Sequence, residues 1–284
     1  MLRKVVDTEV EGYIDFAYDI VLNQSQSSYP IFTDKIKTKE DFRKHCIKST
    51  TKENYESLLY YDNGNVKGLI QYYSQPTDRY WQLIGFNVLD STEQALDELL
   101  EYLRLRFQGY TLYFGFPEEN TQALRYLENH GFECVEKAYN DSYLFEGKSE
   151  FRMNKNVLRV TRENFYLFET LHHPDEATYW NSERIYNTLD AWNIFVLLDG
   201  EICVGTIYER DDEIYGIDYA GGCFDEDTYS ELVKAVLNNM QKRGSKFLTF
   251  FNEENSQESA IKLGFELVGK YVLYIKTLDE WADS

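Results

Sequence analysis

The stretch "EENTQALRYLENHGFE" (118–133) recurs near the end of the chain as "EENSQESAIKLGFE" (253–266). Both versions open with Glu-Glu-Asn and close with Gly-Phe-Glu. Such a phrase is either a chemical site used twice or a structural joint that every copy of one fold requires. Because self-similarity within a chain is the signature of a repeated architecture, the sequence predicts two copies of one fold.

The similarity extends well beyond this phrase. The stretch "LLYYDNGNVKGLIQYY" (58–73) aligns with "FVLLDGEICVGTIYER" (195–210) and places Gly68 against Gly205. Each stretch predicts a β-hairpin, since two largely apolar runs flank a short turn rich in Gly, Asn and Asp. A strand, a helix, a second strand and the repeated phrase follow each hairpin, so both copies predict the same order of elements.

The long helix of each copy is predicted from apolar residues at helical spacing. We expect these helices to end at Gly109 and Gly244, because glycine is the usual residue just past a helix end. Closing strands are expected around 134–145 and 267–278, each completing the sheet of its own copy.

The two copies differ in their early regions. The offset between them falls from 156 residues at the first strand to 137 at the hairpin, so the second copy lacks about 19 residues where the first has its early helices. We place the boundary between the two domains in the polar stretch that separates the two copies. The sequence therefore predicts an N-terminal domain, residues 1–148, and a C-terminal domain, residues 149–284.

The composition limits the classes of partner. The chain of 284 residues is 43% hydrophobic, which is ample for a core, and its formal net charge is −20. Nucleic-acid phosphates and the anionic face of a membrane are bound by basic patches, so neither is expected as a partner. An acidic surface suits a small amine or a basic peptide, and it serves solubility equally well.

The sequence leads us to expect neither a targeting signal nor a pair of cysteines. The N-terminus carries charges throughout instead of the apolar core of a signal peptide, and no stretch approaches the ~18–20 apolar residues of a membrane span. We therefore expect a cytoplasmic protein. The four cysteines lie apart with no CxxC pair, and we expect buried or partly buried thiols without a disulfide or zinc role: Cys46, Cys134, Cys203 and Cys223.

The predicted element order, ending in "NTQALRYLENHGF", resembles the GNAT superfamily of acyl-CoA-dependent N-acyltransferases. Members typically carry Asn-x-x-Ala-x-x-x-Tyr-x-x-x-Gly-Phe on the helix after the fifth strand. The first copy matches at the four positions Asn120, Ala123, Gly131 and Phe132. The second copy matches at three positions, Asn255, Gly264 and Phe265, with an interval from Asn to Gly of 9 residues instead of 11.

The resemblance covers essentially the whole chain as a tandem pair and implies an α+β fold of two GNAT-like domains. Each would be a mixed, splayed, mostly antiparallel sheet flanked by helices. Acetyl-CoA or another acyl-CoA would enter the splay between the fourth and fifth strands as co-substrate. Backbone amides at the start of the following helix would bind the pyrophosphate. A carboxylate on the fourth strand would take a proton from the substrate amine, and a tyrosine on the next helix would protonate the leaving thiolate.

The family's glycine-rich pyrophosphate loop is absent from both copies. In the first copy the helix starts at Ser91 and Thr92, which become the candidate CoA contacts, and Asp90 with Glu93 has the spacing of a capping box. A capping box would satisfy the amides that a pyrophosphate requires.

The second copy retains two glycines near this place, Gly221 and Gly222, and they are its candidate CoA contacts. They precede the turn itself, which carries Asp225, Glu226 and Asp227. Carboxylates at a helix start suit the macrodipole but repel a pyrophosphate. The asparagines that open the repeated phrase, Asn120 and Asn255, are expected where a strand releases the chain beside the cleft.

Two residues are candidates for catalysis. Asp218, in the fourth strand of the second copy, is the best-placed carboxylate for a general base, and the first copy offers only Asn87 there. Tyr126 is one position early for the family's tyrosine and is therefore turned about 100° around its helix. The alternative to catalysis is a packing role for Tyr126. For Asp218 it is an ion pair with a neighbouring basic residue.

The run "HHPDE" (172–176) suggests a metal site because two histidines adjoin two carboxylates. Adjacent histidines do not share one helical face, however, and no second cluster completes a coordination shell. We therefore expect no metal.

Three functions remain open. The first is an acyltransferase that moves an acyl group from acyl-CoA to an amine despite its unorthodox loop. The second is a catalytically degenerate tandem protein whose cleft binds a metabolite or a protein partner. The third is a different acceptor chemistry on the same fold, such as aminoacyl or peptidyl transfer. Fold analogy alone does not choose among them.

Overall fold

The computed structural model describes residues 1–28, 38–173 and 179–279. Its strands are β1 (Leu2–Lys4), β2 (Tyr55–Asp62), β3 (Asn65–Gln75), β4 (Tyr80–Val88), β5 (Thr111–Pro117), β6 (Glu133–Leu144), β7 (Val157–Arg159), β8 (Asn193–Asp199), β9 (Ile202–Arg210), β10 (Glu213–Tyr219), β11 (Phe247–Asn252) and β12 (Glu266–Thr277). Its α-helices are α1 (Asp7–Val10), α2 (Ile14–Val21), α3 (Lys39–Thr51), α4 (Thr92–Arg104), α5 (Thr121–Asn129), α6 (Tyr166–Glu169), α7 (Ser182–Asn187), α8 (Glu226–Arg243) and α9 (Gln257–Leu263).

The chain divides into two compact units. Unit 1 contains Met1–Lys137 and Gly269–Ser284, and unit 2 contains Ala138–Val268. The strand order is β1-β2-β3-β4-β5-β12 in unit 1 and β7-β8-β9-β10-β11-β6 in unit 2. In each unit one neighbouring pair is parallel, β4 with β5 or β10 with β11, and the others are antiparallel. Each unit is thus the mixed, mostly antiparallel sheet that the sequence predicted.

The closing strands are exchanged between the two repeats. Unit 1 is closed by Tyr271–Thr277 of β12, paired antiparallel with β5, and unit 2 by residues 139–144 of β6, paired with β11. The expectation that each repeat supplies its own closing strand was therefore wrong. In unit 1 the ring of Tyr271 fills the space above Gly115, where a Cβ would lie 2.4 Å from it. The boundary between residues 148 and 149 stays a prediction about the sequence repeat.

The predicted hairpins are confirmed as β2–β3 and β8–β9, and their registers superpose the two copies. Gly68 pairs with the residue after Asn87, and Gly205 pairs with the residue after Asp218. Both glycines are required for packing, because a Cβ would lie 2.7 Å from a methyl group of unit 1 and 2.3 Å from one of unit 2. Asn87 and Asp218 therefore occupy the same position in the fold.

A β-bulge and a splay follow at the same place in both units. The bulge falls between Leu83 and Gly85 in β4 and between Ile214 and Gly216 in β10. The parallel pairing of β10 with β11 stops at Ile214, and that of β4 with β5 stops at Gln82. Beyond these points the two parallel strands of each unit separate, as the resemblance implied.

Helices cover both faces of each sheet. In unit 1, α4 and α5 pack on one face and α1 to α3 on the other. In unit 2, α8 and α9 pack on one face, while the short helices α6 and α7 stand where unit 1 has its longer early helices. Helix α8 ends at Gly244 as predicted, with φ of 77°. Helix α4 ends at Arg104, so the expected stop at Gly109 lies too late.

The cysteines divide into two classes. Cys46 and Cys203 are buried as expected, whereas Cys134 and Cys223 are exposed, which corrects the expectation for those two. Among the described helices, none is long and apolar enough to cross a membrane.

Candidate functional site

The splayed end of β10 in unit 2 carries the candidate base. Ile217 and Tyr219 pack on the α8 side of the sheet, and since successive strand residues alternate faces, Asp218 points to the opposite side. Its side chain is 27% exposed. Within the described parts of unit 2, only β9 pairs with the backbone of Asp218 and Tyr219. Among the described residues of unit 2, none pairs with the far edge of β10 at this point.

A buried histidine stands behind this carboxylate. Nδ1 of His172 lies 3.0 Å from Oδ2 of Asp218, and Nε2 of His172 lies 3.0 Å from the backbone oxygen of Trp180. The imidazole stacks on Phe168 with ring centroids 4.5 Å apart and meets the edge of Tyr208 at 5.0 Å. His172 is only 2% exposed, so Asp218 is the member of the pair that a substrate can reach.

The start of α8 is acidic and capped. Asp225 accepts a hydrogen bond of 2.8 Å from the backbone N–H of Thr228. The side chain of Thr228, and after it this backbone bond, holds the pKa of Asp225 below its usual value. Burial, helped by the carboxylates of Glu253, Asp225 and Asp218, raises the pKa of the Tyr219 hydroxyl. These carboxylates gather at the mouth of the unit 2 splay, where a pyrophosphate would enter.

The two glycines of this turn leave room for a ligand. Gly221 and Gly222 have φ of 78° and 68°, and the position of a Cβ on either glycine has no heavy atom within 4 Å. Both are exposed, and only Ala220 separates them from β10. Unit 2 thus brings Asp218, Gly221 and Gly222 together within one strand and the turn after it.

The buried asparagine near the end of β11 is Asn252 and not Asn255. Asn255 is exposed, whereas Asn252 donates to the hydroxyl of Tyr229 at 2.9 Å and to Oδ2 of Asp141 at 3.3 Å. Asp141 also accepts a bond of 2.9 Å from Gln257. Burial raises the pKa of Asp141 to about 6, because these neutral donors offset the lost hydration only in part.

In unit 1 the edge of β4 at the splay is occupied by the chain itself. The backbone N–H of Ser28 donates to the carbonyl of Phe86 at 3.1 Å, and the N–H of Phe86 donates to Oγ of Ser28 at 2.7 Å. Ser27 and Ser28 are buried. We call these two residues the strap. Because the strap takes the backbone groups of β4 at the splay, unit 1 presents no free strand edge at Phe86.

Asn120 holds the strap in place. Its Nδ2 donates to the carbonyl of Ser27 at 2.9 Å, while its Oδ1 accepts a bond of 3.2 Å from the N–H of Ala123 and caps α5. The phrase that opened the sequence therefore supplies a structural clamp in unit 1. Its Gly-Phe end acts as predicted in both units: Gly131 and Gly264 have positive φ just past a helix, and the phenylalanines that follow are buried.

The helix start of unit 1 differs from the predicted capping box. Ser91 is the N-cap of α4 and makes no side-chain capping bond, and Thr92 is the first helical residue. Asp90 has φ of 62° and lies 4.0 Å from Lys67. The Asp90–Glu93 capping box was therefore wrong, because the left-handed turn at Asp90 carries its carboxylate away from the helix amides.

Tyr126 is engaged by its neighbours in unit 1. Its hydroxyl donates to Asp97 of α4 at 2.5 Å, and its ring stacks on His130 at 3.8 Å. Burial, together with the bond to Asp97, raises the pKa of this hydroxyl. Tyr126 lies in unit 1 and Asp218 in unit 2, and the role of Tyr126 as an acid stays a prediction.

Two depressions of unit 1 lie near its β1–β2 edge and away from the splay. One of about 410 Å³ and one of about 730 Å³ adjoin Lys4 and Glu56 near the β1–β2 edge. Glu56 already accepts bonds from Lys4 at 2.7 Å and from Tyr72 at 2.5 Å. With these partners the carboxylate is engaged by the protein itself.

The sequence did not predict two contacts, that of His172 with Asp218 and that of the strap with β4. The run that contains His172 suggests only a metal ligand, whereas the structure pairs His172 with Asp218, a residue 46 positions away. The strap carries no motif at all. One signal for the contact of His172 was its position in the sequence. His172 lies in the early helical region of the second copy, and that region packs on the sheet that contains the fourth strand. His173 is exposed, and Pro174, Asp175 and Glu176 lie outside the described residues. Across the described ranges, no group of three or more His, Cys, Asp or Glu side chains is placed to hold a metal ion.

Comparison with solved structures identifies the fold. A GCN5-related N-acetyltransferase from Sphaerobacter thermophilus is similar over 100% of this chain and 97% of its own, with a TM-score of 0.66 and 13% identity. A tandem GNAT protein from the clavulanic acid biosynthesis pathway is similar over 99% of both chains, with a TM-score of 0.58 and 10% identity. An N-acetyltransferase region of a fungal multi-domain β-N-acetylglucosaminidase gives a TM-score of 0.59 at 10% identity over 97% of this chain and 38% of that one.

The protein therefore has the GNAT fold. More particularly, it is a tandem GNAT-fold protein, with two copies of that fold in one chain. No protein-family model matches the sequence, and no curated protein matches it.

Proposed function

We propose that this protein is an acyl-CoA-dependent N-acyltransferase whose active site is the splay of unit 2. The observation that carries the proposal is the placement of Asp218. It lies four residues beyond the last residue of β10 that pairs with β11, its carboxylate is partly exposed, and one of its oxygens is held by His172. This is the fourth-strand position from which the resemblance implies proton removal.

The reaction assigns one step to Asp218. The nitrogen of an amine forms a bond to the acyl carbon, the carbon–sulfur bond to CoA breaks, and Asp218 takes the proton that the amine loses. The CoA thiolate takes up a proton from solvent, so charge and protons balance. A positioned base of this kind contributes about 10²- to 10⁴-fold to the rate.

Unit 1 lacks both requirements for this chemistry, which are a free strand edge for the acyl-CoA and a carboxylate to accept the proton. The strap occupies the β4 edge along which an acyl-CoA would lie, and Asn87 stands where unit 2 has Asp218. An amide does not accept a proton at neutral pH. We therefore expect one acyl-CoA for each chain, bound in unit 2.

The acidic mouth of the unit 2 splay bears on both substrates. Asp225 and Glu253 would attract a small amine or a basic peptide, which supports such a molecule as the acceptor. The pyrophosphate would have to bind the amides around Gly221 and Gly222, where the position of an added Cβ has no heavy atom within 4 Å. The exposed free thiols of Cys134 and Cys223 and the use of acyl-CoA both suit a reducing compartment, and we propose the cytoplasm.

The same carboxylates favour a second candidate function. Asp225 already satisfies an amide of the α8 start, and no glycine-rich loop surrounds it. A tandem protein that has lost acyl-CoA binding would keep the cleft and use it for a cationic metabolite or a protein partner. Repulsion of the pyrophosphate by these carboxylates is the physical basis of this alternative.

Calorimetry with acetyl-CoA and with CoA separates the two. The first candidate predicts one equivalent bound, with affinity lost in Gly222→Asp, which adds a carboxylate beside the expected pyrophosphate. The matched control is Ser91→Asp at the helix start of unit 1, which should bind as the wild type does. No heat at millimolar ligand overturns the acyltransferase proposal, and two equivalents overturn the assignment to unit 2.

A further inference from the structure

His172 is buried, polar and assigned no role by the reaction described above. We propose that His172 is a positioning residue for that reaction: it holds Asp218 in the orientation that accepts the amine proton, and the carbonyl of Trp180 fixes which nitrogen faces Asp218. This inference rests on the proposed function, because it assigns His172 a part in the same reaction.

The hydrogen bonds determine the arrangement of protons. A carbonyl oxygen only accepts, so the 3.0 Å contact with Trp180 requires a proton on Nε2 of His172. Nδ1 then faces Oδ2 of Asp218 at 3.0 Å, and one proton must lie between them. With both contacts formed, the ring has one orientation and Asp218 has one oxygen engaged, which leaves its other oxygen to face the splay.

The surroundings keep this arrangement rigid. Phe168 of α6 stacks on the imidazole, and Tyr208 of β9 meets its edge. Oγ of Ser182 at the start of α7 donates to the backbone oxygen of His172 at 3.4 Å. The ring is thus held from α6 and from the sheet, and the backbone of His172 is held from α7. A rigid second residue is what keeps a base in productive geometry.

Unit 1 provides an internal contrast. At the position equivalent to Asp218, Oδ1 of Asn87 is buried and has no hydrogen-bond partner among the described residues. The His–Asp pair is therefore not a requirement of the fold, since the first copy folds without one. Within the described residues, a buried histidine paired with a partly exposed carboxylate occurs at the splay of unit 2 and not of unit 1, which indicates a role tied to that carboxylate.

The step balances without a chemical reaction of His172 when the proton between Nδ1 and Oδ2 resides on Nδ1. The ring is then an imidazolium, and Asp218 is a carboxylate that accepts one proton. Asp218 receives the amine proton on the oxygen that faces the splay as the nitrogen–carbon bond forms and the carbon–sulfur bond breaks. The proton between Nδ1 and Oδ2 stays in place. After the product leaves, Asp218 returns its proton to solvent, and the thiolate has become the CoA thiol.

Two variants separate the two hydrogen bonds of the ring. In His172→Asn the amide nitrogen stands near the position of Nδ1 and still donates to Asp218. In His172→Gln it stands near Nε2, which preserves only the bond to Trp180. We expect kcat to fall up to about 100-fold in His172→Gln, as for a misplaced catalytic group. His172→Asn should recover most of that loss, and the KM for acetyl-CoA should change in neither.

A double-mutant comparison adds a readout that a purely structural histidine would not give. If His172 acts through Asp218, the double variant His172→Gln/Asp218→Asn has the same kcat as Asp218→Asn alone. The inference is overturned if the losses in kcat of the two single variants multiply in the double variant. It is also overturned if His172→Gln has the same kcat as the wild type.

A spectroscopic measurement tests the pair without turnover. In protein labelled with ¹⁵N-histidine, the resonances of His172 should show a proton on Nε2 in the wild type. A coupling or shift change confined to Nδ1 should appear in Asp218→Asn. If Nε2 of His172 is unprotonated, the inference fails whatever the enzyme does. If the NMR result holds and no acyl transfer occurs, the proposed function fails instead.

Discussion

Asn120 and Ser27 are joined by a buried hydrogen bond in which Nδ2 of the asparagine donates to the serine carbonyl at 2.9 Å. The motif residue that marks the GNAT resemblance thus fastens a segment of the chain into the cleft of its own unit. The second motif asparagine, Asn255, is exposed. One sequence motif therefore has different structural roles in the two copies, and the difference can be measured.

Replacing Asn120 by alanine should destabilise the protein by about 1–3 kcal/mol, because the carbonyl of Ser27 and the N–H of Ala123 both lose a buried partner. Asn255→Ala is the matched control and should change stability by less than about 0.5 kcal/mol, as surface substitutions do. Urea unfolding checks both. Equal effects in the two variants would contradict the clamp.

Asp218→Asn should lower kcat by about 10²- to 10⁴-fold and leave the KM for acyl-CoA unchanged, because the amide keeps the shape but accepts no proton. Asp211→Asn, at an exposed position just before β10, is the matched control and should keep wild-type activity. Steady-state kinetics with an amine acceptor measures the effect. An Asp218→Asn variant as active as the wild type would remove the proposed base.

Asp141 should make unit 2 less stable as the pH rises. Burial raises its pKa in the folded state from 3.8 to about 6, so between pH 4 and 6 the native state binds the proton that the unfolded state releases. The stabilisation is complete below the unfolded pKa and lost as pH passes the folded value. Two pKa units correspond to roughly 3 kcal/mol.

Asp141→Asn tests this prediction, because an amide has no proton to exchange in this range. The stability of Asp141→Asn relative to the wild type should rise by roughly 3 kcal/mol from pH 4 to pH 7 in urea unfolding. Taking the difference between the two proteins cancels the other carboxylates. A difference that is constant with pH would show that the folded pKa of Asp141 is not raised.

The sequence predicted the parts of this fold that depend on local patterns. The hairpins, the positive φ at Gly131 and Gly264 and the end of α8 at Gly244 follow from turn chemistry and helical spacing alone. The exchange of closing strands was not predictable in this way, because β6 and β12 have the same length of 12 residues and each follows a copy of the same phrase, so no local pattern decides which of them pairs with β5 and which with β11.

The candidate site shows the same division. The sequence predicted Asp218 as a site residue because the repeat places it in the fourth strand of the second copy. His172 and the strap were not found, because their contacts join segments 46 and 58 residues apart and carry no spacing rule. Pairing across such distances depends on how α6 and the region after α2 pack on the sheet, which the sequence pattern does not determine.

The thiols should react in two classes. The exposed Cys134 and Cys223 should react rapidly with a disulfide reagent at pH 8, whereas Cys46 and Cys203 should react only on unfolding. Burial raises the pKa of Cys46 to about 12 and also raises that of Cys203, so neither forms the reactive thiolate. A Cys134→Ser/Cys223→Ser variant should show no fast thiol, and any fast thiol in it would contradict the burial of the other two.

Gly205→Ala should destabilise unit 2 by about 1–3 kcal/mol, because the new Cβ would lie 2.3 Å from Cγ2 of Thr228 and 3.0 Å from Cδ1 of Leu232. Thr228→Ser removes the closer of these two carbons. The double variant Gly205→Ala/Thr228→Ser should therefore be more stable than the sum of the single effects predicts, which a double-mutant cycle in urea measures. Strictly additive effects would mean that α8 moves away from β9 instead, and the position of the α8 start beside Asp218 would then tolerate more change than its packing indicates.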